Sequence, residues 1–381
     1  MADDSDDDPG LAGLSPEFQA MVGGMAGHTA SFAKILERRA AAQASMKEAA
    51  QEKDDVEYFE SYAGLAIHED MLKDQPRVDA YRQAIEFHGK EWAGSSGTTV
   101  IDVGSGTGLL AIFSARAGAK RVVAVEASRL AHFLRQIVEA SAEARDVVEV
   151  KECRAEELDL GSDKVADVIV SEWMGYALLF ENMLPSVIAV RNKYLKPEGL
   201  MLPSRCRLQL APLEDGAWRD SKLNFWRNVH GIDMSALVPL ATATMCEQPQ
   251  HRCVPPGGIF GKATEVLSLD LHSVQEADLA KFEAPLSFEV PAGRRLDGFV
   301  AWFECEFGAA GWLLSTAPSE SATHWRQTAF MLRQPLEGGG GIAVSGSVVI
   351  ERHEEYTRGY RINFDLTAPG RKKRMASFEL R

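Results

Sequence analysis

The sequence predicts an α/β fold, with a doubly wound parallel sheet followed by an antiparallel β domain. Residues 99–128 alternate between strand, glycine turn, helix and strand. Two further apolar runs, at 147–150 and 166–170, extend the sheet. Beyond about residue 203 this alternation stops, and period-two runs such as 360–366 take over. Such runs indicate antiparallel strands, closed as a barrel or folded as a sandwich.

The first of these segments is typical of nucleotide binding. An apolar strand over 100–103 is followed at once by a glycine turn and by a helical spacing of apolar residues. The glycines of the turn are Gly104, Gly106 and Gly108. The second strand ends in Glu126, and an acid at that position is placed to bind ribose hydroxyls.

The spacing of the glycines narrows the choice of ligand. A dinucleotide fingerprint is G-x-G-x-x-G, whereas this chain has G-x-G-x-G, and no lysine follows as it would in a P-loop. Asp102 stands just before the turn. A turn beside a carboxylate suits a cofactor that has no phosphates and carries a cationic amine. These features favour S-adenosylmethionine.

Composition limits the classes of partner. The 381 residues are 45% hydrophobic and carry a formal net charge of −14. We expect no direct nucleic-acid binding, because that needs basic surface. The acidity suits an enzyme that attracts cationic substrates, and it suits ordinary solubility equally well. No membrane span or secretory signal is evident, so we expect a cytoplasmic or nuclear protein.

The cysteines indicate neither a disulfide framework nor a metal site. There are five, an odd number, and they are scattered along the chain, which suits a reducing compartment. Cys246, His251 and Cys253 lack a fourth ligand at suitable spacing. We therefore predict that the protein binds no metal.

We predict three parts in the chain. Residues 1–53 form an N-terminal extension, partly disordered or helical. Residues 54–203 contain the parallel sheet and the helices before it, and residues 204–381 contain the antiparallel domain. Within that domain, residues 217–250 look helical and carry large apolar side chains. This arm is either a surface for a partner or an element buried against its own domain.

Two acids flank an apolar loop after the strand at 166–170. Glu172 opens the loop and Glu181 closes it, with WMGYALLF between them. In a doubly wound sheet the strand ends face the cofactor crevice. Apolar loops rarely carry paired charges for solubility. One such acid could be an ordinary loop acid, but we expect the pair to be functional.

These two acids belong to a set of segments in which the chain resembles the protein arginine N-methyltransferases. The matching segments are YFESY, IHEDML, VIDVGSGTG, VVAVEAS, the SEWMGYALLFENML double-E loop and Thr323-His324-Trp325. The resemblance runs from about Tyr58 to the C-terminus. It implies a Rossmann-like S-adenosylmethionine domain, a β-barrel substrate domain and a homodimer formed through the arm. In this family, the arm of one subunit braces the cofactor-side helices of the other.

The resemblance also implies the cofactor site. Glu126 would hold the ribose hydroxyls, Glu156 the adenine amine and Arg77 the methionine carboxylate. One residue is inserted before Glu172 relative to the commonest family spacing, which leaves Glu157 as the alternative to Glu156. The other cofactor residues implied are Phe59, Tyr62, His68, Met71, Asp102, Gly104, Gly106, Gly108, Ala127, Ala155 and Met183.

For the substrate, the resemblance implies that Glu172 and Glu181 hold the guanidinium. Two further residues would border the substrate: Tyr62 and Trp325. His324, paired with Asp74, would accept the proton that is released. Alternatively, His324 would only fasten the N-terminal helix over the site.

The family pattern implies a type I enzyme. Its products would be monomethyl- and asymmetric dimethyl-arginine, with S-adenosylhomocysteine as the by-product. Its substrates would be proteins such as histones or Arg/Gly-rich RNA-binding proteins. Two alternatives stay open: a catalytically silent member that activates a partner, and a methyltransferase for a small amine.

Overall fold

The computed structural model describes residues 49–62, 64–92, 97–308, 311 and 313–381. A five-stranded parallel sheet lies in the first half of the chain. The strands are β1 (Thr99–Val103), β2 (Arg121–Glu126), β3 (Val148–Glu152), β4 (Ala166–Val170) and β5 (Leu195–Leu202). Their order is β3-β2-β1-β4-β5, so the winding reverses between β1 and β4. This confirms the predicted doubly wound sheet, in which ligands bind beyond the carboxyl ends of the strands.

Helices precede and connect these strands. They are α1 (residues 54–61), α2 (Leu65–Lys73), α3 (Gln75–Trp92), α4 (Leu109–Arg116), α5 (Leu130–Ala140) and α6 (Leu184–Tyr194). Val100, Ile101 and Asp102 are fully buried in β1. A continuous apolar run is what a strand buried on both faces requires.

Two antiparallel sheets form the second half. The larger has the order β7-β12-β10-β6-β8 with β11 beside β10, and the smaller has the order β15-β14-β13-β9. The strands are β6 (Arg205–Leu213), β7 (Gln250–Arg252), β8 (Thr264–Asp270), β9 (Lys281–Val290), β10 (Arg295–Glu306), β11 (Leu313–Ser315), β12 (Gln327–Glu337), β13 (Ile342–Arg352), β14 (Tyr360–Thr367) and β15 (Arg374–Leu380). Phe299 of β10 stacks on Phe364 of β14 with ring centroids 4.6 Å apart, so the two sheets share a core.

Two helices, α7 (Gly216–Asn224) and α8 (Val238–Glu247), lie in the segment that was predicted to be an arm, between β6 and β7. Several large apolar side chains there are exposed, including Phe225, Ile232 and Leu240.

Residues 54–381 form one compact unit. The predicted N-terminal extension lies outside the described residues as far as position 48. No helix in the described ranges is both long and apolar enough to span a membrane.

Candidate active site

Most of the predicted site residues line one cavity at the carboxyl ends of the parallel strands. The predicted residues in its wall are Phe59, Tyr62, His68, Met71, Arg77, Gly104, Gly106, Glu126, Ala127, Ala155, Glu156, Glu172, Glu181 and Met183. They come from α1, α2 and α3 and from the loops after β1, β2, β3 and β4. The cavity therefore lies where the reversal of winding places a ligand.

Glu126 organises the glycine turn. One carboxylate oxygen accepts a hydrogen bond from the Gly106 backbone N–H at 2.8 Å, and the other accepts one from the Ser128 N–H, also at 2.8 Å. A carboxylate has about four acceptor sites, so each oxygen can still accept a hydroxyl. Gly104 has a φ of 75°, in the left-handed region that favours glycine, and the Met183 methyl group packs where a Cβ would stand.

Two predicted cofactor residues, Asp102 and Gly108, lie behind the wall rather than in it. The Asp102 side chain is fully buried, and burial raises its pKa to about 7. Gly108 precedes α4 with a φ of 84°, and a Cβ there would collide with Leu134 of α5. Gly108 therefore allows α4 and α5 to pack closely, and Asp102 packs inside the sheet.

The two acids after β3 have different positions. Glu156 lines the cavity, and its Oε1 accepts a hydrogen bond from the Ser186 hydroxyl at 2.5 Å. The Glu157 carboxylate accepts one from the Arg154 backbone N–H at 3.3 Å, and Glu157 is not part of the cavity wall. Of these two acids, Glu156 is therefore the one placed to contact a ligand in the cavity.

The first acid of the double-E loop pairs with Arg77 of α3. Arg77 Nη1 donates to Glu172 Oε2 at 2.8 Å, and Nη2 donates to the Met71 carbonyl oxygen at 2.7 Å. The side chains of both ion-pair partners are about nine-tenths buried, at 9% and 11% exposure. Arg77 was predicted to bind the cofactor carboxylate; in the structure its guanidinium forms an ion pair with Glu172.

The second acid is held by Tyr62, whose hydroxyl donates to Glu181 Oε2 at 2.6 Å. Burial raises the pKa of Glu181 to about 7. The Tyr62 hydrogen bond and the charge of Arg358 lower it, while the charge of Glu172 raises it. Near neutral pH this acid therefore gains or loses a proton easily, as functional carboxyls often do.

A second cavity holds the other predicted substrate residues, Asp74, His324 and Trp325. Its wall and that of the first cavity share Tyr62, Met71, Glu172, Met174 and Glu181. The two cavities therefore adjoin at the double-E loop.

Asp74 and His324 form a pair in the second cavity. The Asp74 Oδ2 atom lies 2.7 Å from His324 Nδ1 and 2.8 Å from the His324 backbone N. Burial alone would raise the pKa of Asp74, but hydrogen bonds from His324 and from the Arg77 backbone hold it below its usual range. The Trp325 indole N–H donates to the Met174 carbonyl oxygen at 2.9 Å, which ties this loop to the double-E loop.

Comparison with known proteins identifies the family. The family model described as "Arginine methyltransferase oligomerization subdomain" matches residues 204–370, and the one described as "Ribosomal protein L11 methyltransferase (PrmA)" matches residues 83–204. Probable protein arginine N-methyltransferase 6.1 of Oryza sativa subsp. japonica is 39% identical over 340 residues, covering 82% of this chain and 85% of the relative. The chain belongs to the protein arginine N-methyltransferase family.

Other members of the arginine methyltransferase family are also similar to this chain in sequence and structure. Protein arginine N-methyltransferase 1 of Schizosaccharomyces pombe is 38% identical over 314 residues, covering 81% of this chain and 89% of the relative. The solved Trypanosoma brucei PRMT1 enzyme-prozyme heterotetrameric complex with AdoHcy has a TM-score of 0.74 and 31% identity, and covers 84% of this chain and 100% of that chain. The family resemblance found in the sequence is confirmed.

Among the charged residues that line the first cavity in the described part of the chain, Arg358 is the one that was not predicted. Arg358 lines the first cavity, and its Nη1 donates to the Glu181 carbonyl oxygen at 2.7 Å. It lies in the polar stretch EEYTRG before β14, where no periodicity or spacing distinguishes it. Only the folded chain brings it to the cavity.

Proposed function

We propose that this chain is an S-adenosylmethionine-dependent, type I protein arginine methyltransferase that forms monomethyl- and then asymmetric dimethyl-arginine. The observation that carries the proposal is the shared wall of the two cavities, which contains both Glu172 and Glu181. The first cavity contains Glu126 and Glu156, which we assign to ribose and adenine, and the second contains the His324–Asp74 pair. A guanidinium that enters the second cavity meets both acids where the cofactor cavity begins.

The first cavity fits S-adenosylmethionine. Glu126 has acceptor sites left for two vicinal hydroxyls, and Glu156 offers a carboxylate to an exocyclic amine. Arg77 supplies a cation for the methionine carboxylate, and its Nε has no hydrogen-bond partner in the described part of the chain. When bound, the cofactor supplies a methyl group on a positively charged sulfur.

The acid pair prepares the guanidinium. An arginine stays protonated in proteins, and its charge is spread over three nitrogens, so each is a poor nucleophile. Glu172 and Glu181 accept fork-like hydrogen bonds and draw the positive charge toward the nitrogens that they hold. The nitrogen that faces the cofactor cavity regains lone-pair character. Rate acceleration then comes mainly from positioning and electrostatics.

His324 is the proton acceptor in this proposal. Since Nδ1 is bonded to Asp74, the nitrogen that can accept a proton is Nε2. Asp74, whose carboxyl stays ionised, stabilises the imidazolium that forms. The same contact fastens the end of α2 to the loop that carries Trp325.

The expected substrates are basic proteins, such as histones or Arg/Gly-rich RNA-binding proteins. A chain with a formal net charge of −14 attracts cationic partners over long range. Free arginine or a small amine would carry fewer charges to respond to that field. A peptide array that includes free arginine as a competitor separates these substrate classes.

The methylated forms of arginine that the reaction yields test the type I assignment. Met71 and Met183 are flexible, unbranched side chains in the wall of the cofactor cavity, so they can yield space to a methylated nitrogen. We expect monomethyl-arginine first and asymmetric dimethyl-arginine second, with no symmetric product. Amino-acid analysis of an exhaustively methylated, hydrolysed peptide measures all three. Symmetric dimethyl-arginine, or monomethyl-arginine alone, would overturn the type I assignment.

We further propose that the chain forms a homodimer through the arm, residues 217–250. Phe225 and Leu240 of this segment are 56% and 65% exposed, and Phe133 and Ile137 of α5 are 56% and 40% exposed. Two apolar faces on one chain suit a reciprocal contact between two copies, in which each segment covers the other copy's α5. The family model that matches this half of the chain is described as an oligomerization subdomain.

Charge placed on the arm should break the dimer. We expect light scattering to find a dimer at micromolar concentration, and Phe225→Asp with Leu240→Asp to give a monomer with weak activity. Met375→Asp, at a side chain 77% exposed in β15, is the control and should leave the dimer intact. A monomeric wild-type chain would contradict the proposal.

A further inference from the structure

The end of the double-E loop has a backbone conformation that needs support. Glu181 and Asn182 have φ angles of 73° and 51°, in the left-handed region that residues other than glycine rarely adopt. Such residues persist only where the surrounding structure holds them, and they cluster at functional sites. The contacts that hold this loop therefore help to set the position of the arginine-binding acid.

Those contacts come from the segment between β13 and β14, and from the start of β14. Arg358 Nη1 donates to the Glu181 carbonyl oxygen at 2.7 Å. The Asn182 amide donates to the Thr357 carbonyl oxygen at 3.0 Å, and the Tyr360 hydroxyl donates to the Asn182 side-chain oxygen at 3.1 Å. With the Arg352 guanidinium at the end of β13, which donates to the same Asn182 oxygen at 3.5 Å, four hydrogen bonds fix two left-handed residues from the antiparallel half of the chain.

The same segment also holds α1. Arg358 Nε and Nη2 donate to Asp55 Oδ1 at 3.0 and 2.6 Å, and the Thr357 N–H and hydroxyl donate to Asp54 Oδ2 at 2.6 and 2.8 Å. The Arg358 guanidinium lies 3.9 Å from the centre of the Tyr58 ring. Asp54, Asp55, Thr357 and Arg358 are all buried, and hydrogen bonds to charged groups are strongest where water is excluded.

Helix α1 reaches Glu181 by a second route, through the Tyr62 hydroxyl bond to Glu181 Oε2. Glu181 is thus held at its carbonyl by Arg358 and at its carboxylate by Tyr62, the residue directly after α1. Both supports depend on the 353–360 segment, because that segment docks α1.

We propose that residues 353–360 are a positioning element for the arginine-binding acid, and that Arg358 couples the position of Glu181 to the docking of α1 at the cofactor cavity. Arg358 is a positioning residue, because it acts through Glu181 and Asp55. The planar guanidinium donates in two directions at once, which a lysine ammonium on a flexible stem does not reproduce. The assignment of Glu181 as the arginine-binding acid rests on the proposed function.

Hydrogen exchange on the full-length chain tests the coupling without using activity. We expect Arg358→Lys to speed amide exchange in both 177–183 and 54–62. Tyr360→Phe removes one hydroxyl, which also contacts the Leu279 carbonyl oxygen at 3.3 Å, and keeps a fully buried ring, so it should speed exchange in 177–183 but not in 54–62. Arg207→Lys, beside Glu306 on the neighbouring strand β10, is the matched control and should change neither. Faster exchange in only one segment of Arg358→Lys would overturn the coupling.

Kinetics then separates positioning from general loss of structure. We expect Arg358→Lys to lower kcat on an arginine peptide about 10- to 100-fold, the factor for one hydrogen bond to a charged group. Tyr360→Phe should lower kcat about 2- to 10-fold with the KM for the peptide unchanged, as for one neutral hydrogen bond. A kcat within twofold of wild type in Arg358→Lys, or a loss matched by the unfolded fraction, would overturn the positioning role. A wild-type chain that methylates no arginine peptide would refute the proposed function instead, while the exchange result would still decide the coupling.

Discussion

Glu181→Gln is expected to lower kcat on an arginine peptide by ~10²–10³-fold, while affinity for the cofactor stays close to that of wild type. Glutamine keeps the shape of the side chain, and its carbonyl oxygen can still accept the hydrogen bond from Tyr62 that the structure shows at 2.6 Å. It lacks the charge that orients the guanidinium and attracts its positive charge. A single preorganised contact of this kind contributes about 3–4 kcal/mol in a site that excludes water.

The matched control is Glu320→Gln. Glu320 lines the second cavity but not the wall that the two cavities share, and it is exposed. The same chemical change there should leave kcat nearly unchanged. Single-turnover methylation of a peptide, with calorimetric binding of S-adenosylhomocysteine in parallel, measures both quantities. Near-wild-type turnover by Glu181→Gln would refute the clamp.

Glu172→Gln is a less selective test. Glu172 neutralises Arg77 at 2.8 Å, and both side chains are largely buried. Removing the carboxylate charge leaves a buried cation with only neutral partners, which strongly destabilises a fold. We therefore expect this variant to lose stability and cofactor affinity as well as turnover, and Glu181 gives the cleaner result.

Glu181 should also set the acid side of the pH profile. Burial raises its pKa to about 7, and its charged and titratable neighbours are Tyr62, Glu172 and Arg358. Only the ionised acid binds a guanidinium, so kcat/KM should fall tenfold per pH unit below about 7. The raised pKa also means that the ionised carboxylate is less stable in the folded chain than in the unfolded chain. This cost develops as pH rises from the ordinary value of 4.5 to about 7.

Because the ionised Glu181 carboxylate destabilises the folded chain, Glu181→Gln should change the stability in a pH-dependent way. At pH 8 the variant lacks the buried charge and should unfold at a higher temperature than wild type. At pH 5 the wild-type carboxyl is protonated in the folded chain, so the difference should be smaller. A variant that is less stable than wild type at pH 8 would show that the Glu181 carboxylate stabilises the fold.

The sheets and the cavity could be predicted because their signals are local in sequence. A buried strand is a short apolar run, and the glycine turn after β1, Glu126 at the end of β2 and the double-E loop after β4 follow in order along the chain. In a doubly wound sheet all these loops meet at one edge. Segments far apart in sequence therefore converge without any need to know their side-chain contacts.

The contacts between side chains could not be predicted in the same way. Asp102 is the fourth residue of β1, and its side chain is fully buried in the sheet and does not line the cavity. The pairing of Arg77 with Glu172 joins residues 95 positions apart. Arg358 reaches Glu181 across 177 positions. A single charged residue in a polar turn carries no periodicity that would reveal such a partner.

Glu126→Ala is expected to weaken binding of S-adenosylhomocysteine by roughly 30- to 1,000-fold, or about 2–4 kcal/mol. The change removes the acceptors for the ribose hydroxyls. It also leaves two backbone N–H groups, those of Gly106 and Ser128, without the carboxylate that they now contact at 2.8 Å. The glycine turn should therefore loosen as the ribose contact is lost.

Two variants help to separate the loss of the ribose contact from the loosening of the glycine turn. Glu126→Gln keeps one oxygen for one backbone N–H but cannot accept from two hydroxyls, so its affinity should fall between those of wild type and Glu126→Ala. Glu157→Ala removes an acid that stands next to Glu156 but does not line the cavity, and this variant should bind S-adenosylhomocysteine like wild type. Calorimetry with S-adenosylhomocysteine measures all three variants. If Glu126→Ala binds as tightly as wild type, Glu126 only supports the turn, because the lost charge would then have had no contact with the ligand.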